Sequence, residues 1–326
     1  VVMSINYVEC FAGLGSLSHA FEDRFPDAKC IGVVEANPAC RAVLARHRPE
    51  VKQYDEVRTA QPGFCDVVLG GFPCQNISRV NRHNKDGVLG EKSSLFFDMM
   101  RLAWQSQAHT IIMENVPNIK SRGLDVVREA CEVLGYTLTW KIIAADQAGA
   151  PVTRHRWFAV ASKAGWRVTD TYPKRQHLPP LWPAPMASCR GYTEEALPFF
   201  RRQVKCYEAQ GRYYGCILPI AARLGPKWRS LYPQIIQEKR LDHPWDGRRW
   251  LNPDWVERLV GLPTGYTKPT GRRLKVNFGD PWAGRWDRQR LLEEREDVSD
   301  WYLRLKMLGN TIVPQQARYF LSGVAT

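Results

Sequence analysis

What this sequence of 326 residues lacks narrows what it can be. It has no apolar run of about 18 residues, the length a membrane-crossing helix needs, and no leader-like opening, so no membrane partner is expected. It holds no internal repeat and no low-complexity tract, which excludes solenoids and fibrous arrays. Its nine cysteines are odd in number and form no regular Cys-x-x-Cys pairs. That argues against a disulfide framework or a zinc finger and fits a reducing cytoplasm. Acidic residues are in deficit, 33 against 46 basic ones, for a net charge of +13. Such an excess points to a polyanionic partner.

The first half alternates strand-like apolar runs with helical patterns. Ile5–Cys10, Gly32–Glu35, Val67–Gly70, Thr110–Glu114, Thr137–Ala145 and Trp157–Ser162 read as strands, and Leu17–Phe25, Ala39–Arg46, Ser94–Gln105 and Leu124–Leu134 as helices. This alternation predicts an α/β fold with a doubly wound sheet. Near residue 170 the character changes. Pro173, Pro179, Pro180, Pro183 and Pro185 cluster there, as at a domain boundary. Eight of the twelve tryptophans fall between residues 171 and 303, a basic and irregular stretch. The last residues return to an apolar pattern. The expected organisation is a large domain of residues 1–170 plus 304–326 and a smaller one of residues 171–303.

Two turns carry candidate chemistry. Phe11-Ala12-Gly13-Leu14-Gly15 follows a strand and precedes a helix, where glycines let the backbone turn tightly and approach a ligand. The dinucleotide fingerprint is incomplete, because Ser18 stands where its third glycine would be. Glu35 ends the second strand, where a carboxylate can accept from ribose hydroxyls, as can any solvated strand-end acid. The second turn is Gly71-Phe72-Pro73-Cys74-Gln75, at the exit of Val67–Gly70. Pro73 stiffens it and extends the residue before it. Cys74 therefore sits where open sheets place ligands, although a cysteine alone reads equally well as a small buried hydrophobe.

Three further segments are Met113-Glu114-Asn115-Val116-Pro117, Thr153-Arg154-His155-Arg156-Trp157-Phe158 and Leu308-Gly309-Asn310-Thr311-Ile312-Val313. Taken in order with the two turns, they resemble the DNA (cytosine-5) methyltransferase family of bacterial and phage type, over roughly residues 5–162 and 304–322. The resemblance implies a Rossmann-like methyltransferase domain with a smaller target-recognition domain. It implies S-adenosylmethionine as cofactor, no metal, and double-stranded DNA as partner, with a cognate restriction endonuclease in some systems. It places Phe11, Gly13, Gly15, Glu35, Asp55, Gly71, Leu95 and Asn310 around the cofactor. Cys74 becomes the nucleophile that attacks C6 of a flipped cytosine. Glu114 becomes the carboxyl at N3, Asn115 the residue that positions the loops around it, and Arg154 and Arg156 the arginine pair, with Arg156 on the O2 side. The other eight cysteines read as structural.

The basic segment Arg79–Lys92, with Gly87 and Gly90, fits a loop closing over DNA. In the middle region, Lys227, Arg229, Lys239, Arg240, Arg248, Arg249, Arg272, Arg273 and Lys275 are candidates for phosphate or base contacts. Asn252 is expected to cap a helix starting at Pro253, with Trp255, Leu259 and Val260 on one face. Lys268–Ser299 reads as an insertion. Two rival readings remain at this point. One is an RNA-directed relative acting on transfer RNA, although the Cys-Phe-Thr element of that branch is absent. The other is a catalytically inactive DNA-binding relative.

Overall fold

Short apolar runs become the strands of one sheet. The computed structural model describes residues 4–73, 95–150, 152–173, 182–183, 249–251, 253–274, 276, 292–294 and 298–326. Strands β1 (Asn6–Cys10), β2 (Lys29–Val34), β3 (Gln53–Tyr54), β4 (Val67–Gly70), β5 (Thr110–Asn115), β6 (Thr137–Ala144) and β8 (His155–Ser162) form the main sheet. The two-residue β7 (Val152–Thr153) stands outside it. The order across the sheet is β3-β2-β1-β4-β5-β8-β6. The pairs among β1 to β5 are parallel, whereas β8 runs antiparallel to both β5 and β6. The order reverses beside β1, and the exits of β1 and β4 lie next to each other there. That is where an open sheet receives a ligand.

Helices α1 (Ser16–Arg24), α2 (Pro38–His47), α3 (Leu95–Gln105), α4 (Ile119–Arg122) and α5 (Leu124–Val133) occupy the connections. The expected helices and strands appear within one to three residues of their predicted ends. Strand β3 was not anticipated. The helix α2 begins as its sequence dictates: Asn37 accepts from the Ala39 N–H at 3.0 Å, and Pro38 occupies the first turn.

The strands are buried on both faces, and alternate residues serve two cores. Val68, Ile111, Met113 and Trp157 face Phe96 and Met99 of α3 and Val127 and Cys131 of α5. Val67, Leu69, Ile112, Phe158 and Val160 face Leu17 and Phe21 of α1. Phe320 and Leu321 complete that second core from near the end of the chain. They belong to a helix at Pro314–Ser322, which closes the sheet's second face.

The remaining elements are β9 (Arg167–Val168), β10 (Trp182–Pro183), β11 (Arg249–Leu251), α6 (Pro253–Leu259), β12 (Leu292–Glu294), α7 (Val298–Asn310), α8 (Pro314–Ser322) and β13 (Val324–Ala325). β13 pairs antiparallel with β9, which brings the chain's last strand back beside residue 168. The helix expected at Pro253 is present as α6, and Val256, Leu259 and Val260 are buried. Asn252 and the Trp255 side chain lie outside the described residues, as do Arg79–Lys92 and most of residues 174–248. Among the described residues no helix is long and apolar enough to cross a membrane.

Residues 253–274 dock on the main sheet's helices. Arg46 of α2 donates to the carbonyls of Gly265, Lys268 and Arg272 at 2.8, 2.7 and 3.0 Å. Glu257, fully buried in α6, accepts from the Thr267 N–H at 2.7 Å and from Arg304 of α7 at 3.0 Å. One buried carboxylate therefore organises α6, the turn after it and α7 together. This stretch lies inside the region read as the smaller domain, yet it bonds to α2 and α7.

Candidate active site

The turn after β1 bends because its residues adopt left-handed backbone angles. Gly13 has φ of 54° and Gly15 of 73°, and Phe11, a non-glycine, has φ of 55°. A Cβ built on Gly13 would meet no atom within 4 Å, so open space lies beside the loop. Glu35, at the exit of β2, holds this loop: Oε2 accepts from the Gly13 N–H at 2.7 Å and Oε1 from the Asn37 N–H at 2.8 Å. A carboxylate offers about four lone-pair sites. Two remain for hydroxyl donors, the valence a ribose requires. These features fit S-adenosylmethionine: a loop of positive-φ residues, open space beside it and a strand-end acid with acceptor capacity to spare. Asp55 is exposed one residue beyond β3, beside the exit of β2. Leu95 is the first residue of α3 and packs, half-buried, against the core.

The second half of the site gathers around Glu114, near the end of β5. Arg156 of β8 donates from Nε to its Oε1 at 2.7 Å. The antiparallel register sets Glu114 opposite Phe158, so Arg156 lies just beyond the end of β5. A Cβ at position 71 would come within 3.1 Å of Glu114 Oε2, and glycine there keeps the space before this oxygen open. Burial pushes the Glu114 carboxyl above the usual carboxylate range, and the guanidiniums of Arg156 and Arg154 offset only part of that. The net effect favours the proton-bearing form.

Asn115 donates from Nδ2 to the Phe72 carbonyl at 3.1 Å and accepts from the Val116 N–H at 2.8 Å. It therefore ties the exit of β5 to the turn at Gly71–Pro73. Cys74 follows this turn directly and lies outside the described residues. Arg154 turns elsewhere. Its guanidinium donates to the Gly309 carbonyl at 3.3 Å and to the Thr311 carbonyl at 2.8 Å, bracketing Asn310 at the end of α7. The two arginines have separate tasks in the structure: Arg156 meets Glu114, and Arg154 holds the Gly309–Thr311 turn. Thr311 also bonds Ser16 of α1 through its hydroxyl at 2.9 Å. The side chain of Ile312 stands 3.6 Å from where a Gly71 Cβ would be. Segments near residues 13, 35, 71, 114, 155 and 310 thus meet at one end of the sheet, each in contact with a neighbour. Among the described residues no group of three or more His, Cys, Asp or Glu is placed to hold a metal.

A family model for C-5 cytosine-specific DNA methylase matches residues 5–188, more than half of the chain. The chain belongs to this family. Its relatives include the Type II methyltransferase M.NlaIV of Neisseria lactamica, 27% identical over 179 residues, which are 49% of this chain and 42% of the relative. The chain thus matches less than half of that relative's length. The Type II methyltransferase M.DsaV of Dactylococcopsis salina is 29% identical over 282 residues, 81% of this chain and 78% of the relative. Among solved structures, S. pombe Dnmt2 methyltransferase superposes with a TM-score of 0.60 at 16% identity, covering 98% of this chain and 97% of its own. A putative DNA modification methyltransferase from an E. coli prophage gives 0.55 at 16% identity, covering 98% of both. At these identities the structures show the fold, a Rossmann-like methyltransferase sheet, as do the strand order and its single antiparallel insertion.

Within the family frame, several residues that sequence reading did not single out support the site. Ser16 and Thr311 bridge α1 to the turn after α7, and Gln316 of α8 donates to the carbonyls of Ile143 and Arg154 at 2.7 and 2.9 Å. Nothing local marks them, because each partner lies more than 150 residues away. Arg272 and Arg273, read as candidates for phosphate or base contacts, both have exposed side chains. The Arg272 carbonyl accepts from Arg46 and the Arg273 guanidinium pairs with Glu50 at 3.1 Å. The side chains of Lys227, Arg229, Lys239, Arg240, Arg248, Arg249 and Lys275 lie outside the described residues.

Proposed function

We propose that this chain is an S-adenosylmethionine-dependent DNA cytosine-5 methyltransferase acting on duplex DNA. The observation that carries the proposal is the Glu114–Arg156 pair, set beside Gly71 and tied through Asn115 to the turn that leads into Cys74. Cytosine C5 is a weak nucleophile. Addition of the Cys74 thiolate to C6 forms a carbon–sulfur bond and pushes electron density through the ring onto C5 and N3. The Glu114 carboxyl, pushed above the usual carboxylate range by its burial, delivers a proton to N3 as that density arrives. Arg156, held by Oε1 of the same side chain, directs its remaining N–H donors at O2. Arg154 positions Asn310 rather than the base. When bound, S-adenosylmethionine supplies an electrophilic methyl group. Loss of the C5 proton and departure of the thiolate then restore the enzyme.

The target carbon lies inside the stack, so the base must be flipped out at a cost of a few kcal/mol. Residues 171–303 outside the α6 region, together with Arg79–Lys92, are the segments we assign to holding DNA. The Type II names of the relatives support pairing with a restriction endonuclease and action in a bacterial cytoplasm.

The test uses labelled S-adenosylmethionine with duplex DNA and, separately, transfer RNA. Duplex labelling is expected, abolished by Cys74→Ala and reduced about 10²-fold or more by Glu114→Gln, with cofactor affinity within about twofold of the wild type. Labelling of transfer RNA alone would move the function to the RNA branch. Labelling that survives in Cys74→Ala would overturn the mechanism.

A further inference from the structure

The loop expected to cradle the cofactor has a second anchor, reaching it from a distant part of the chain. Between Gly13 and Gly15, the Leu14 carbonyl accepts from the Tyr266 hydroxyl at 3.1 Å. Tyr266 follows α6 and is buried. Its hydroxyl also lies 2.6 Å from Nε2 of His19 in α1, and Nδ1 of that histidine lies 3.3 Å from Nη2 of Arg48.

Arg48 fixes the direction of this chain of bonds. A guanidinium only donates, so His19 Nδ1 must be the acceptor and carry no proton. The ring's single proton is then on Nε2 and is donated to the Tyr266 oxygen. That leaves the tyrosine's own proton for Leu14. Arg48 cannot turn away, because Glu22 grips both of its terminal nitrogens, at 2.6 and 2.8 Å, and the Tyr7 hydroxyl donates to the same carboxylate at 2.6 Å. Burial and the neighbouring Arg48 charge hold the His19 imidazole well below its usual protonation range, as this arrangement requires.

Tyr266 is held just as firmly from its other side. The His47 ring stacks on it, with centroids 4.0 Å apart at 11°. His47 Nδ1 accepts from the Leu274 N–H at 3.1 Å, so its proton is on Nε2 and is donated to the Tyr266 carbonyl at 2.9 Å. Ring, carbonyl and hydroxyl are all fixed, and the hydroxyl delivers its proton to the cofactor loop.

We propose that Tyr266 is a positioning residue for the cofactor loop, with His19 as the neutral relay that orients its hydroxyl. This rests on reading Phe11–Gly15 as the S-adenosylmethionine loop. It gives residues 253–274, which lie within the span 171–303 read as the smaller domain, a direct hold on the cofactor site.

The experiment uses the full-length chain with Tyr266→Phe, which keeps the stacked ring and removes only the hydroxyl. Hydrogen exchange across residues 11–19 is expected to speed up about tenfold without ligand, since the Leu14 carbonyl loses its buried partner. The dissociation constant for S-adenosylmethionine is expected to rise about tenfold, with that for duplex DNA within about twofold. His19→Leu should reproduce both changes, whereas His19→Gln, which retains an amide donor, should recover most of the wild-type values. A thermal midpoint that falls while loop exchange and cofactor affinity stay at wild-type values would reduce Tyr266 to a packing residue and overturn the proposal. If the wild-type protein binds no S-adenosylmethionine, the functional reading fails, and the exchange of residues 11–19 still decides whether Tyr266 holds the loop.

Discussion

Glu9 is a carboxylic acid inside a parallel sheet, at the fourth position of β1, with 2% of its surface exposed. The described bond to its side chain is a short one from the Ser18 hydroxyl, across the start of α1. Burial raises its protonation midpoint from 4.5 to about 7, with Ser18 and the Arg48 charge opposing. A raised folded midpoint sets the sign. Below about pH 4.5 the acid is protonated in both folded and unfolded chains, and its contribution to stability is fully present. As pH climbs through about 7, the unfolded chain has already ionised while the folded one resists, and the contribution is lost. Glu9→Gln keeps an acceptor for Ser18 and has nothing to ionise. Relative to this variant, the wild type should lose roughly 2–3 kcal/mol of unfolding free energy between pH 5 and pH 8. Urea unfolding at the two values measures it, and parallel pH slopes for the two proteins would show that Glu9 does not carry this charge burial. Nothing in the sequence around Glu9 announces this, because an acid one residue before Cys10-Phe11 reads as part of a strand-end motif.

Helix α8 shows which elements the sheet requires. Phe320 is fully buried and stacks on Phe158 of β8 with centroids 4.9 Å apart at 17°, and Leu321 fills the same core beside Phe21 of α1. Truncation of Phe320 to alanine should cost about 3–5 kcal/mol, the range for a large aromatic removed from a packed core. A denaturant titration showing a loss below about 1 kcal/mol would mean that α8 does not close this face. The sheet itself was legible in the sequence, because β1, β4, β5, β6 and β8 are runs of four to eight residues with apolar or aromatic enrichment and turn signals at their ends. β3 was not, since two residues carry no pattern. In the candidate site, Glu35 and Glu114 stand out at strand ends and Gly71 and Arg156 follow from the family resemblance, and the structure sets Gly71, Glu114 and Arg156 side by side. The reorientation of Arg154 toward Gly309 and Thr311 was not legible, because it depends on where α7 ends in space. Tyr266 escaped for the same reason: its partners His19 and Leu14 are 247 and 252 residues away in sequence.

At the scale of the whole molecule, charge and structure are unevenly divided. Residues 171–303 hold 23 basic and 15 acidic side chains, so eight of the thirteen excess positive charges lie in about two fifths of the chain. Within the described part of that region Arg273 pairs with Glu50 at 3.1 Å, and Arg304 of the adjoining α7 grips Glu257 at 3.0 Å. These pairs hold α6 and the turn after it against the sheet. The uncommitted basic excess is therefore expected from the rest of residues 171–303, and under the proposed function its use is to neutralise phosphates along DNA. Each phosphate neutralised releases condensed counterions, so the logarithm of affinity falls linearly with the logarithm of salt. If about six phosphates are met, duplex affinity should drop about 10³-fold between 50 and 200 mM monovalent salt. S-adenosylmethionine affinity should hardly change over that range, because the proposed cofactor loop is set by hydrogen bonds to Glu35 and from Tyr266 rather than by surface charge. Titrating both ligands across the same salt series separates the two. A flat duplex profile would mean that the positive surface does not face DNA, and equal slopes for both ligands would mean that salt acts on the fold rather than on the interface.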